Sequence, residues 1–262
     1  MTTFRDLHEP GRLLLLPNAW DAGSARVIAA RGAPALATTS AGLAWSRGHA
    51  DGNRLPPSLL ATALAEITRV VSVPVSADIE GGYSDDPRRV AETVRAVLDA
   101  GAVGINLEDG SAPPDLLCAK LEAAREAAVK AGVDLFVNAR CDVYLRGLVP
   151  KENAVAETLA RARRYRAAGA DGLFAPFVRE AAAIRALAAG IGDVPLNVLW
   201  VPGLPALAEL RALGVRRLSA GSAIAQRAYA LASRCAQRFL ESGDFDPADA
   251  ALTNPELNAL FA

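Results

Sequence analysis

The chain is poor in cysteine, nearly neutral and without a long apolar run, and each shortage removes a class of protein. Its three cysteines, Cys118, Cys141 and Cys235, are scattered through 262 residues with no paired spacing. They supply neither a disulfide framework nor a zinc motif, which points to a reducing compartment. The formal net charge is -1. Nucleic acids and anionic membranes reward a concentrated basic face, so neither is expected as the main partner. A small anionic substrate needs only local positive charge and stays in play. "LLLL" at 13–16 is far too short to span a bilayer. The leading "MTTFRDLHEPGR" carries acids and a proline where a secretory signal needs an apolar stretch. The expectation is a cytoplasmic protein engaged with neither membrane nor nucleic acid.

What the chain does have is a repeated alternation. Short apolar runs lead into polar turns, then into long Ala/Leu/Arg stretches with helical spacing, then to a glycine. The strand candidates are "LLLLPN", "ALATTS", "VPVSADI", "GINLED", "LFVNAR", "GLFAPF", "PLNVLW" and "RRLSAG". Gly32, Gly101, Gly132, Gly169 and Gly214 follow helix candidates and precede strands, as left-handed C-caps do. The strands read as nearly continuous apolar runs, which favours a parallel sheet buried on both faces. Eight strand–helix units in roughly 240 residues predict a (β/α)8 TIM barrel, parallel and eight-stranded. The rival, a doubly wound open sheet, would carry a phosphate-binding glycine fingerprint after its first strand, and none follows "LLLLPNAWD". The expected division is a barrel over 1–240 and a short C-terminal helical extension over 241–262, packed on the barrel or on a neighbouring subunit.

In a barrel the chemistry belongs at the C-terminal strand ends. There the sequence places Asn18 and Asp21; Thr38, Thr39 and Ser40; Asp78 and Glu80; Glu108 and Asp109; Asn138, Arg140 and Asp142; then Asn197 and Ser219. Carboxylates crowded at one mouth repel one another unless a cation or protons compensate. A hard divalent ion is the simplest compensation. Magnesium takes one or two direct carboxylates and keeps several waters, which suits Asp78, Glu80 and Glu108. The set contains no His or Cys, which disfavours zinc. The competing reading is that some of these acids cap helices, Asp86, Asp109 and Asp142 above all. Arg140 is costly to bury without an anion: it grips a substrate carboxylate, or it forms a structural ion pair with Glu108 or Asp142, and the two are compatible. "TTSAG" at 38–42 offers small side chains and amides suited to an anionic oxygen, or simply a tight turn.

Together "LPNAWDAGSARVIAARGAPALATTSAGLAWSRGHADG", "VSADIEGGY", "GINLEDG" and "NARCDVY" resemble the isocitrate lyase/phosphoenolpyruvate mutase superfamily, in its phosphonomutase-like branch, from about residue 4 to about 240. The resemblance implies a (β/α)8 barrel that makes or breaks C–C or C–P bonds beside a 2-oxo acid carboxylate, with magnesium (manganese as its substitute), and a homo-oligomer, dimer or tetramer, with swapped C-terminal helices. It puts the metal motif on Asp78 and Glu80, an outer metal partner on Glu108, and the carboxylate-binding arginine on Arg140. The oxyanion turn falls on Thr39, Ser40 and Ala41, a mouth-lining aspartate on Asp51, and the polar site of the seventh strand on Asn197.

The departures bear on the reaction. The cysteine- and histidine-bearing loop that handles protons in the lyases is absent after the fourth strand, where the chain reads "EDGSAPPDLLCAKLEAAREA". Cys118 there is expected to be a packing residue. The lysine- and asparagine-rich gating loop of the mutases is absent too, and "FAPF" stands where the lyases carry a glutamate. The leading expectation is a magnesium-dependent lyase acting on a C–C bond of a small 2-hydroxy or 2-oxo carboxylate, with Tyr83, Asp51 and His49 as acid/base candidates. The alternatives are C–P bond chemistry on a phosphonopyruvate-like substrate and a non-catalytic oxo-acid-binding protein.

Overall fold

The computed structural model describes residues 3–246, 248 and 251–262. Residues 1 and 2 of the expected barrel segment, and 247, 249 and 250 of the expected extension, lie outside the described residues.

Nine short strands form one parallel sheet: β1 (Leu14–Leu16), β2 (Asn18–Ala19), β3 (Leu36–Thr38), β4 (Val75–Asp78), β5 (Gly104–Glu108), β6 (Phe136–Arg140), β7 (Gly172–Ala175), β8 (Leu196–Leu199) and β9 (Val215–Ser219). Their order, β1-β9-β8-β7-β6-β5-β4-β3-β2, is an eight-stranded barrel whose first strand is divided at Pro17. A proline has no N–H to give to a ladder, so the ladder breaks there. Its carbonyl still accepts from Ala37 N at 3.0 Å, while Leu16 O accepts from Ala220 N at 3.1 Å. One half of the divided strand therefore pairs forwards with β3, the other backwards with β9, and the barrel closes.

The helices are α1 (Ala22–Ala29), α2 (Ser40–Ser46), α3 (Pro57–Arg69), α4 (Pro87–Asp99), α5 (Pro114–Ala131), α6 (Val143–Arg146), α7 (Ala154–Ala167), α8 (Ala181–Gly190), α9 (Leu207–Ala212), α10 (Ala223–Ser242) and α11 (Asn254–Phe261). Local chemistry explains their starts. Asp21 and Ser24 form a reciprocal capping box on α1, Asp86 accepts from Arg88 N on α4, and prolines open α3, α4 and α5, where a missing N–H costs nothing. On α4 the buried Val90, Thr93, Val94, Val97 and Leu98 recur at helical spacing and face the sheet. Cys118, half-buried in α5, packs against the main core as expected. α11 folds back onto α1, where Arg26 Nε donates to Leu260 O.

The bottom of the barrel is plugged by the N-terminal segment. Phe4 meets Phe136 edge-on at 5.6 Å, and the His8 ring stacks on Phe136 at 4.2 Å. A Cβ at Gly104 would stand 2.7 Å from the Phe4 ring, so the plug needs glycine at that place in β5. Among the described residues no helix is long and apolar enough to cross a membrane.

Candidate active site

The last residues of β4, β5 and β6 are Asp78, Glu108 and Arg140, and each is the one position of its strand left partly accessible. The register sets Asp78 beside Asn106 and Glu108 beside Arg140. Side chains alternate between faces along a strand, so Gly104, Asn106 and Glu108 share one face of β5, and Phe136, Asn138 and Arg140 share one face of β6. The C-terminal layer of this inward face opens onto a cavity of about 180 Å³ lined by Thr39, Ser40, Ala41, Asp51, Asp78 and Arg140, with Phe174 and Phe177 beside them. That volume equals the share of roughly six water molecules in the liquid, enough for a small organic acid and little more.

Arg140 is held from two sides. Its Nη1 lies 2.6 Å from Glu108 Oε2, and Asp142 takes Nε at 2.7 Å and Nη2 at 3.1 Å. Two of the guanidinium N–H donors hydrogen-bond to Asp142, and Glu108 adds a close charge contact without a hydrogen bond. The side chains of Asp142 and Asp109 cap no helix, contrary to expectation, although Asp142 stands at the N-cap position of α6. Asp142 is fully buried and holds Arg140 and Arg146. Asp109 accepts from Tyr165 Oη at 2.6 Å, Arg161 Nη1 at 2.8 Å and the Asp142 amide at 2.8 Å. The reason is tertiary: Arg140 and Arg146 converge on Asp142 and Arg161 reaches Asp109, and a charge-assisted bond is stronger than one to a local amide. Asp86 does cap.

Asp78 has no cation in contact among the described residues. Its Oδ1 accepts from Glu80 N at 3.3 Å and its Oδ2 lies 3.5 Å from Ser40 N, both long. Burial pushes its carboxyl upward, and the Arg140 charge opposes this. The Ser40 amide thus faces the same space as Asp78, whereas the Thr39 amide donates to Ala19 O at 3.1 Å. Thr39 caps α2 through Gly42 N at 3.5 Å, and the turn is tight: a Cβ at Gly42 would stand 2.7 Å from Thr39 Cγ2.

Glu80 and Tyr83 stand off from this cavity. Glu80 sits at φ 51° and Tyr83 at φ 59°, left-handed conformations that turn the chain sharply after Asp78. The Glu80 carboxylate turns to the loop above the mouth, where Oε2 accepts from Asn53 N, while Oε1 is buried with no partner among the described residues. Burial, reinforced by the charges of Asp78 and Asp51, pushes Glu80 up to about 6. The Tyr83 hydroxyl is buried near Glu80 and pushed upward by burial, so it keeps its proton. Tyr83 and Glu108 instead border a neighbouring cavity of about 390 Å³ that also meets Lys120 and Arg146. Asn197 lies below the mouth rather than on its wall, accepting from Ser219 Oγ at 3.1 Å. His49 is half-buried and does not line the mouth.

The donor chemistry fits a hard divalent cation only in part. Among the described residues no three His, Cys, Asp or Glu side chains are spaced to share an ion. Asp78, Glu80 and Glu108 are therefore not a three-carboxylate cage. A buried carboxylate without a cation, opening onto a polar cavity, fits an ion that takes one protein ligand and keeps its waters, as magnesium does.

A family model described as phosphoenolpyruvate phosphomutase matches residues 4–240. The chain belongs to that family. An uncharacterized protein of Mycobacterium tuberculosis is 42% identical over 224 residues, covering 84% of this chain and 82% of that protein. A Burkholderia cenocepacia crystal structure, provisionally named a phosphonomutase, is 45% identical, with a TM-score of 0.85 over 89% of this chain and 97% of its own. Oxaloacetate acetylhydrolase in complex with the product oxalate is 26% identical, with a TM-score of 0.86 over 98% and 91% of the two chains. Other relatives carry the names 2,3-dimethylmalate lyase, 2-methylisocitrate lyase and oxaloacetate decarboxylase. The family's enzymes thus include lyases and mutases, and the expected barrel and superfamily are both met.

Sequence reasoning passed over Asn106 and Phe174, which line the mouth, and Arg217, buried beneath it. The signal was there in the two-residue spacing of Asn106 before Glu108 and of Arg217 before Ser219, which places each pair on one face.

Proposed function

We propose that this family member is a magnesium-dependent carbon–carbon lyase acting on a small 2-hydroxy or 2-oxo carboxylate. The observation that carries the reading is the facing of Asp78 and Arg140 across one cavity of about 180 Å³, a cation-seeking group opposite an anion-seeking one. Asp78 would hold the ion directly, with Glu80 and Glu108 in the layer behind it. When bound, magnesium, or manganese in its place, supplies a Lewis acid beside the substrate's carboxylate and neighbouring oxygen. The remaining work falls to the chain. The Arg140 donors not bound to Asp142 orient the carboxylate, and the oxyanion turn at Thr39, Ser40 and Ala41 sets the Ser40 amide where negative charge grows in the enolate. Preorganised donors of this type typically contribute about 3 kcal/mol each. Phe174 and Phe177 narrow the space and exclude water. Of the acid/base candidates, Tyr83 keeps its proton and stands outside the cavity, and Asp51 borders it. We take Asp51, on the cavity's border, as the group that moves a proton.

C–P chemistry is less well supported. A phosphoryl group calls for several cations, and the one lining this cavity is Arg140, already paired twice. Arg47 is engaged with Glu66. We further propose a cytoplasmic homo-oligomer built through the C-terminal helices, whose Phe239, Leu240, Leu257 and Phe261 are exposed. In the deciding experiment, Mg²⁺ with oxalate raises the melting temperature, and oxaloacetate, 2-methylmalate and phosphonopyruvate are assayed for turnover. Asp78→Asn is expected to abolish both responses. A variant that keeps them refutes the reading, and oxalate binding without turnover of any candidate favours the non-catalytic alternative.

A further inference from the structure

Beneath the mouth lies a polar layer where a barrel of this kind is usually filled by branched apolar side chains. Arg217 is the largest fully buried side chain among the described residues. No acidic group among the described residues touches it. Its Nε donates to Ser219 Oγ at 3.1 Å and its Nη2 to Asn106 Oδ1 at 3.2 Å, while Nη1 is buried without a partner among the described residues. Burial lowers its pKa to about 9, and the Asp78 charge opposes that fall. A buried guanidinium without a counter-ion is expensive, so its retention calls for a reason.

The reason lies in the two groups it holds. Asn106 and Ser219 both line the mouth cavity with Asp78 and Arg140. A guanidinium only donates, so the Asn106 atom facing it must be the carboxamide oxygen. Asn138 Nδ2 donates to the same oxygen at 2.8 Å, in keeping with that assignment. With Oδ1 turned down and saturated, the Asn106 amino group is left for the cavity, and among the described residues it donates to no protein acceptor. Ser219 is held likewise, accepting from Arg217 and donating to Asn197.

We propose that Asn106 is a substrate-binding residue of the mouth, offering its two carboxamide N–H donors to an oxygen of an anionic carboxylate guest, and that Arg217 is the positioning residue that keeps them turned upward. This rests on the reading of the mouth as an oxo-acid site.

Calorimetric titration of the Mg²⁺-loaded protein with oxalate, alongside melting temperatures, tests this. Asn106→Asp is nearly isosteric and gives Arg217 a counter-ion, but puts an oxygen where the donors were. The expected result is oxalate affinity down more than tenfold with a melting temperature unchanged or raised, a split that a merely structural asparagine would not produce. Affinity within twofold of the parent overturns the inference while leaving the proposed function standing. Failure of the parent itself to bind oxalate overturns both. Arg217→Met should weaken oxalate three- to tenfold in the parent and add nothing in an Asn106→Ala background. An equal loss in both backgrounds overturns the positioning role. Should Arg217→Met fail to fold, Asn106→Asp alone decides.

Discussion

Replacing His8 with phenylalanine should leave stability near pH 7 almost untouched and stabilise the protein in acid. The His8 ring is buried against Phe136, and its Nδ1 contacts Phe4 O at 2.9 Å. Burial, with the nearby Arg217 charge adding to it, drives its pKa from the usual 6.5 down to about 3. Between those values the unfolded chain binds a proton that the native protein refuses, so stability falls as pH falls through 6.5. Each pH unit in that window is worth about 1.4 kcal/mol, so near pH 4.5 the parent has lost about 3 kcal/mol through this one group. Phenylalanine keeps the stack and removes the titration. Its loss near neutrality is the Nδ1 contact, about 1 kcal/mol, offset in part because the unpartnered Nε2 goes too. Urea unfolding of both proteins near pH 7 and near pH 4.5, at equal protein concentration, gives the difference of differences, in which every other titrating group cancels. The expected swing is about 3 kcal/mol in favour of the variant at low pH. Parallel losses in the two proteins would refute the claim that His8 is buried neutral.

The remaining predictions concern the site's supports and the assembly. Asp109→Ala strips a partner from Arg161, Tyr165 and the Asp142 amide together, and should destabilise the fold by about 3–5 kcal/mol in denaturant unfolding while weakening oxalate binding through Arg140. Gly104→Ala forces a methyl against the Phe4 ring and should cost about 1–3 kcal/mol with oxalate affinity unchanged, because the clash is at the closed end of the barrel. Ending the chain after Gly243 removes α11 and should lower the mass seen by light scattering, and an unchanged mass would sink the proposed assembly.

The barrel was legible because its signals are local. Helical spacing, glycines at 32, 101, 132, 169 and 214, each with positive φ, and short apolar runs each report on a few neighbouring residues. The Asp78 and Arg140 positions were legible for a related reason: a charge at the end of an apolar run has few other places to go. Glu80 was not. Its register relative to Asp78 suggested a shared ligand, but the left-handed turn at both Glu80 and Tyr83 swings the carboxylate to the 51–54 loop.

By itself, then, the sequence determined the order of elements, the parallel sheet and the strand ends at which polar groups gather, since these follow from local periodicity and backbone preference. Tertiary structure alone decided which acids pair with which cations, turning Asp109 and Asp142 from caps into anchors of an ion-pair network. It also decided that Arg217, Asn106 and Asn138 meet in the barrel's centre. Arg217 and Asn106 stand 111 positions apart in the chain, and partners so distant exist for each other only once the barrel has closed.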